Sequence, residues 1–353
     1  MRYTSAARMA GLILVLITIL GLCRVDALAQ NAIMVNEQSC IVSASSVCDE
    51  YEDMNFASAR AFNMNPDEPW MAAGEFNPKK GEWLKLTFTQ PVSLMALRIT
   101  PGFGRTGKYY HEYSRLKRFE VILDKAGKIE TRTYTRHFDS DPEKDMVLLF
   151  AGEPVVKSFK IKILEVYPGK KGSNALIGNV EPVILSKGRV VCSSWAVEEA
   201  ISFLKAAGSP ELAFSFVPRD ESIKIDRLFR HSNPLDKAAR LEKRNRYDRE
   251  KLRKDWGTWE MLCRQIASDY AFNSFEAVSY IWKDPATKLT IFDFTPSDFG
   301  DVLNSYTFAM TRQKVTEKIS RKDPKTGKTT EESITILKAV VTEIKMVSDV
   351  YAP

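Results

Sequence analysis

The chain has 353 residues, a formal net charge of +6 and 44% hydrophobic residues. That length accommodates a leader and two ordinary domains. The charge is mild and requires neither a nucleic acid nor an anionic membrane as partner.

Residues 1–29 carry an export pattern. Arg2 and Arg8 precede an almost unbroken apolar run from Met9 to Leu22, shorter than the roughly 20 residues a bilayer takes. Arg24 and Asp26 end the run, and Ala27-Leu28-Ala29 supplies the small residues that a signal peptidase needs. A signal peptide over 1–29 is expected, with Gln30 as the mature N-terminus; an uncleaved anchor is the alternative. Leu22 stands before Cys23, where a lipoprotein site needs a small residue. No later apolar run reaches membrane length, so no transmembrane segment is expected after cleavage. The expected location is secreted, periplasmic or cell-surface, where nucleic acid is not a partner.

Outside the leader stand Cys40, Cys48, Cys192 and Cys263. An even number in an oxidising compartment allows disulfides. Cys40 and Cys48 are close in sequence, and a local bridge between them is expected. Pairing of Cys192 with Cys263 stays open; Cys263 also reads as a buried thiol on a helical apolar stripe.

From about residue 80 to 185 the pattern is that of strands. Trp83 to Phe88 alternates; Leu94 to Thr100 follows beyond Pro91; then come 119–123, 129–138, 146–150 and 155–166. Short strands at near-regular spacing predict an all-β sandwich. After Val191 the pattern changes. A helix is expected over 197–207, with Ser193 or Ser194 as cap and Gly208 as stop. Residues 234–270 are helical in composition, and Leu252, Trp256, Trp259, Cys263, Ile266 and Tyr270 define one buried face, with Gly257 as a candidate kink. Strands return at 288–294, 306–319 and 334–346, the last two as a long hairpin whose Ile334, Ile336, Val340, Ile344 and Met346 share a face. Helices followed by antiparallel strands predict an α+β domain. The expected division is a sandwich over 30–188 and an α+β domain over 189–353.

Several motifs have plain readings. Gly102-Phe103-Gly104-Arg105-Thr106-Gly107 fits G-x-G-x-x-G and follows a strand, but no βαβ alternation surrounds it. Gly327-Lys328-Thr329 resembles the end of a P-loop, yet position 322 is Lys and the segment is a hairpin turn. Asp139, Asp141, Glu143 and Asp145 alternate as calcium ligands do, but Pro142 interrupts them and the EF-hand glycine is missing. His111, His137 and His231 have no metal-ligand spacing, and no Gly-x-Ser-x-Gly elbow occurs. No catalytic residue and no metal ligand is assigned. The basic run 240–254 is interspersed with acids and reads as a solvated helix.

Residues 41–184 resemble the discoidin-like (F5/8 type C-like) jelly-roll domains. The resemblance rests on Asn63-Met64-Asn65-Pro66-Asp67-Glu68-Pro69-Trp70, then Gly81-Glu82-Trp83-Leu84-Lys85-Leu86-Thr87-Phe88. Leu97-Arg98-Ile99-Thr100-Pro101-Gly102-Phe103 follows, and then Tyr109-Tyr110-His111-Glu112-Tyr113-Ser114-Arg115-Leu116-Lys117. It is nearest to the bacterial branch named for NAD glycohydrolase translocation, also described as glycan-binding. The family's Asp-Gly stands here as Asn63-Met64 and its Thr as Glu68. That removes a charge from the turn that often holds a structural calcium, so no cofactor is expected. The C-terminal domain is matched to no family; its order of helices then hairpin is that of NTF2-like and cystatin-like cones.

The resemblance implies ligand loops at one end of the sandwich. Residues 105–113 lie between two strands, show no helical period, and hold Arg105, Tyr109, Tyr110 and His111 as candidate ligand residues. Aromatic faces stack on sugar rings, while Arg and His supply hydrogen bonds. The competing role for such tyrosines is packing over the open end of the core. The expected function is an exported protein that binds a glycan or another surface ligand. The alternatives are an extracytoplasmic enzyme with its chemistry in the α+β domain, and a structural adaptor in a surface assembly. An enclosed polar pocket in the C-terminal domain would favour the enzyme; a filled core would oppose it.

Overall fold

A computed structural model describes residues 31–48, 55–104, 107–136, 144–231, 240–271, 278–294, 302–322, 327 and 329–350. The leader expected over 1–29, Arg105 and His137 lie outside the described residues, as do Asp139, Asp141 and Glu143.

The first half is built from β1 (Asn31–Val35), β2 (Gln38–Ala44), β3 (Trp70–Met71), β4 (Trp83–Thr100), β5 (Arg115–Lys125), β6 (Lys128–Thr135), β7 (Asp145–Leu149), β8 (Val155–Tyr167), β9 (Leu176–Ile177), β10 (Asn179–Ser186) and β11 (Arg189–Val191). A short helix, α1 (Gly107–Glu112), lies between β4 and β5. The two strands expected on either side of Pro91 are one. β4 runs through the proline, with a register shift between Thr87 and Val92 against β8. Thr89, Gln90 and Pro91 are exposed there. Pro91 has no N–H to donate and is tolerated where ladder pairing is interrupted. Before the bulge β4 pairs with β2 and β8; beyond it, after two more residues against β8, it pairs with β10 and β7. One bent strand thus serves both sheets of the sandwich.

The sandwich interior follows from alternation. Leu84, Leu86 and Phe88 of β4 meet Phe119, Val121 and Leu123 of β5 and Phe159, Ile161 and Ile163 of β8. Leu97, Ile99, Met146, Leu148 and Val180 close the core from the opposite sheet. β7 is buried along its whole length, because its other face is also covered. Val147, Leu149, Ala96 and Val183 belong to a second core, shared with the C-terminal half.

That half contains α2 (Trp195–Ala206), α3 (Pro210–Ala213), β12 (Ile223–His231), β13 (Arg240–Tyr247), α4 (Arg249–Lys254), α5 (Trp256–Ala271), β14 (Ser279–Lys283), β15 (Thr290–Phe294), β16 (Val302–Lys322) and β17 (Thr329–Val350). β14 pairs antiparallel with β7, so the strands of both halves form one sheet, ordered β13-β12-β17-β16-β15-β14-β7-β4-β8-β5-β6. α2 and α5 pack on it through Val197, Ile201, Leu204, Trp259, Leu262 and Ile266. The chain is mostly β, a sandwich joined to a smaller helix-bearing region.

Three expectations are corrected here. Residues 240–247 are a strand rather than a helix, because β13 pairs along β12 from Ile223 to Phe229; tertiary pairing overrides the helical composition. The helix begins only where Asp248 accepts a 2.7 Å hydrogen bond from the Lys251 amide. The break between α4 and α5 falls at Asp255 and not at Gly257. The Asp255 carboxylate there accepts from Thr258 at 2.9 Å and from the Tyr247 hydroxyl at 3.0 Å. In β17 a bulge shifts the register from Ala309–Glu343 to Met310–Val341. Val341 and Ile344 therefore face the same core, and Val340 turns to the other side.

Candidate functional site

α1 follows β4 at one end of the sandwich. Residues 105–113 show no helical period, yet 107–112 form a helix; it is imposed by what it packs on. Tyr110 is fully buried and Tyr113 nearly so. The Lys170 and Lys171 amides donate to the carbonyls of His111 and Glu112 at 3.2 and 2.8 Å. These are two of the carbonyls that a helix end leaves without an internal partner. A Cβ on Gly169 would overlap the Glu112 carbonyl and the Tyr113 backbone. A Cβ on Gly102 would lie 2.8 Å from Arg115 Cγ and 2.9 Å from Tyr110 Cε2. Both glycines are needed for close approach, and Gly104, with φ of +65°, for its backbone conformation. A helix does follow the G-x-G-x-x-G segment, but it has six residues and sits among antiparallel strands, which is not a dinucleotide-binding arrangement.

The four candidate residues separate. Tyr110 belongs to the fold: Arg136 Nη2 donates to its hydroxyl, and the ring lies against the Arg115 guanidinium at 5.6 Å. Its assignment to the ligand site is corrected, since a fully covered ring has no face for a sugar. Tyr109 is 36% exposed and stacks on Phe103, with centroids 5.1 Å apart and planes 24° apart. Lys108 Nζ lies 5.3 Å from the Tyr109 centroid. His111 is exposed and meets Tyr110 edge-on at 5.3 Å. Arg105 lies outside the described residues.

His111 opens onto a cleft of about 550 Å³ lined by Lys108, His111, Glu112, Arg115, Pro168, Gly169 and Lys170. Three of its residues come from the 168–170 turn, which strand-pattern reading leaves unassigned; the only sequence signal is the Pro168-Gly169 pair. Arg115 is 6% exposed and donates to the carbonyls of Tyr113 and Pro168 at 2.8 and 3.2 Å. The cleft therefore combines a fixed guanidinium, an imidazole and two ammonium groups with one carboxylate, Glu112, whose Oε2 lies 3.4 Å from Lys171 Nζ.

The turn at Asn63–Glu68 is held by its own side chains. Asn63 Oδ1 accepts from the Asn65 amide at 2.8 Å, and Asn65 Oδ1 from the Asp67 amide at 3.1 Å. Glu68 is paired with Arg60 and accepts from Asn63 at 2.7 Å. Among the described residues no group of three His, Cys, Asp or Glu is placed to hold a metal ion.

The expected Cys40–Cys48 bridge is not formed. Cys40 points into the sandwich core, its thiol donating to the Gln38 carbonyl at 3.4 Å. Cys48 instead packs with Phe56, Met71, Phe103, Tyr113 and Leu176. Burial pushes the Cys40 thiol up to about 11 and the Cys263 thiol up to about 12. In the C-terminal half the space between α5 and the sheet is filled by Phe292, Phe294, Phe308 and Ile344. A polar network lies at its edge, where Asp269 accepts from Tyr306 and, at 3.0 Å, from Asn304.

No family model matches the chain, and no curated protein matches it. Among solved structures it is similar to the lectin domain of lectinolysin, complexed with Lewis B antigen: 15% identity, 40% of this chain and 89% of that one, TM-score 0.30. It is similar to the family 32 carbohydrate-binding module of C. perfringens NanJ, in complex with galactose: 14% identity, 40% and 92%, TM-score 0.30. A third is the F5/8 type C domain of a Bacteroides fragilis protein: 20% identity, 40% and 89%, TM-score 0.27. These three are a lectin domain, a carbohydrate-binding module and an F5/8 type C domain, each matching about two-fifths of this chain.

Proposed function

We propose that the protein is an exported glycan-binding protein and that the cleft beside α1 takes the sugar. The observation that supports this is the cleft's lining, where Lys108 and His111 stand beside the fixed Arg115 guanidinium on a helix whose backbone is locked against the 168–172 turn, with the exposed Tyr109 ring next to them on the same helix, outside the lining. Convergent donors read a sugar's hydroxyls, and an aromatic face at the margin, here Tyr109, covers the C–H face of a sugar that reaches beyond the cleft. Holding these groups on a buried base lowers the ordering cost of binding. The neighbouring proteins whose names include a sugar or lectin role are consistent with this reading. Location outside the cytoplasm rests on the leader pattern of residues 1–29.

The test is a glycan array on the secreted protein, followed by titration of the best hit against Tyr109→Ala, His111→Ala and Arg105→Ala. Loss of binding in Tyr109→Ala and His111→Ala with unchanged melting supports the reading. Unchanged affinity in all three removes this cleft from the site.

A further inference from the structure

A second cavity lies where the two halves meet. It has a volume of about 260 Å³, just below the range of about 300–1,000 Å³ usual for small-molecule pockets. Its floor is Arg98 of β4 and Asp145 of β7. One wall is Ser194, Trp195 and Ala196 at the start of α2, and the other is Ile281, Trp282 and Lys283 of β14. Lys288, Thr290, Met310 and Thr311 complete it. No single strand pattern contains this site; it exists because β14 pairs with β7.

The chemistry is cationic and aromatic. Both indoles are half-buried, and each is clamped by a cation. Lys144 Nζ lies 4.1 Å from the Trp282 centroid, and the Arg312 guanidinium 4.5 Å from that of Trp195. Such contacts fix the rings and gather positive charge around them. Lys283 and Lys288 add two exposed ammonium groups. Asp145 is the one carboxylate in the lining, and its oxygens are engaged: Oδ1 accepts from Thr100 at 2.7 Å and Oδ2 from Arg98 Nε at 2.7 Å. Arg98 also reaches Glu181 at 3.2 Å. With the 2.5 Å approach of Nη2 to Asp145, each of the three guanidinium nitrogens is engaged by Asp145 or Glu181, and one N–H on each of Nη1 and Nη2 is left over from its five donors.

We propose that this junction is a second binding site, for a single acidic sugar unit. Its carboxylate would meet Lys283, Lys288 and the Arg98 guanidinium while its ring rests against Trp195 and Trp282. A neutral hexose gains the indoles but not the attraction of a carboxylate to Lys283 and Lys288. The volume admits one ring and not a chain.

The proposal is independent of the cleft beside α1 and is tested on the same purified protein. D-galacturonate and D-galactose are titrated by calorimetry, with tryptophan fluorescence as a second readout. Galacturonate is expected to bind and to shift the emission, more weakly at high salt, whereas galactose at the same concentration leaves it unchanged. Lys283→Gln with Lys288→Gln, both on exposed positions, is expected to weaken galacturonate about tenfold, or 1.4 kcal/mol. Trp282→Phe should lose most of the emission shift while keeping the fold, and His111→Ala should change neither readout. Absence of galacturonate binding, equal response to galactose, or an unchanged affinity in the double lysine variant overturns the proposal. Loss of galacturonate binding in His111→Ala would assign it to the other cleft and overturn it as well.

Discussion

Arg98 and Glu181 stand opposite each other on neighbouring strands, with Nη1 3.2 Å from Oε2. They do so on the outer face of the sandwich, beneath the start of α2. Asp145 receives the same guanidinium from the other side, and the Ser193 amide donates to Glu181. Coulombic attraction to both acids outweighs the burial of Arg98 and raises its pKa above the ordinary value. This row of charges lies inside the molecule only because the second half covers it.

Breaking the row should therefore unsettle both halves together. Arg98→Met leaves two buried carboxylates without their cation, a change that costs about 3–5 kcal/mol. Calorimetry is expected to show one lowered transition for the whole chain, because β7 and β14 share a ladder. Two separate transitions, with only one displaced, would contradict that coupling.

Tyr110 and His111 are adjacent but should respond oppositely. Tyr110→Phe removes one partner of a buried Arg136 and is expected to cost about 1.5–3 kcal/mol of stability. Since α1 is held by the tyrosine, Tyr110→Ala should also displace His111. His111→Ala should leave melting within about 0.5 kcal/mol of the parent and abolish sugar binding. Denaturant titration alongside array-hit titration reads both quantities.

The cysteines should behave as covered thiols. With Cys40 raised to about 11 and Cys263 to about 12, almost no thiolate exists at pH 8, and thiolate is the reactive form. Intact mass after native alkylation is expected to show Cys40 and Cys263 unmodified, and both labelled once the protein is unfolded. A Cys40–Cys48 linkage in non-reducing peptide maps would refute the separation of these two side chains.

Glu82 gives the sandwich an acid limb. Its side chain is 2% exposed. Burial pushes its pKa up, but hydrogen bonds from Ser45, Lys80 and Ser46 and the Lys80 charge outweigh that and hold it below the ordinary 4.5. A depressed folded pKa contributes stability that is complete above the unfolded value and is lost as pH falls through the folded one. Melting temperature should therefore drop from about pH 4.5 downward. Glu82→Gln, which cannot ionise, should melt lower at pH 7 and show a flatter curve below pH 4.5; an unchanged slope would exclude the mechanism.

Alternation alone was enough to locate β4 to β8, with Leu84, Leu86 and Phe88 on one face, because a two-residue period leaves one solution once a face is buried; β1 and β2, which pair onto β4 from residues 31–44, were not read from the pattern. The same held for the helix face through Leu252, Trp259, Cys263 and Ile266, where a 3.6-residue period marks the buried side. The aromatic segment at 109–113 was visible as a candidate site, but not which ring faces water. That depended on Gly102 and Gly169 letting other backbone approach α1, which turns Tyr110 inward and leaves Tyr109 and His111 outside. Residues 240–247 carry a helical composition, and only the ladder supplied by β12 made them a strand. In β17 one bulged residue reversed the face of every side chain beyond it. Cys40 and Cys48 are near in sequence, yet the strand under Cys40 directs its thiol into a core that Cys48 does not enter. Local periods are written in the chain; the pairing of distant strands, and every site that lies between them, is decided only when the strands meet.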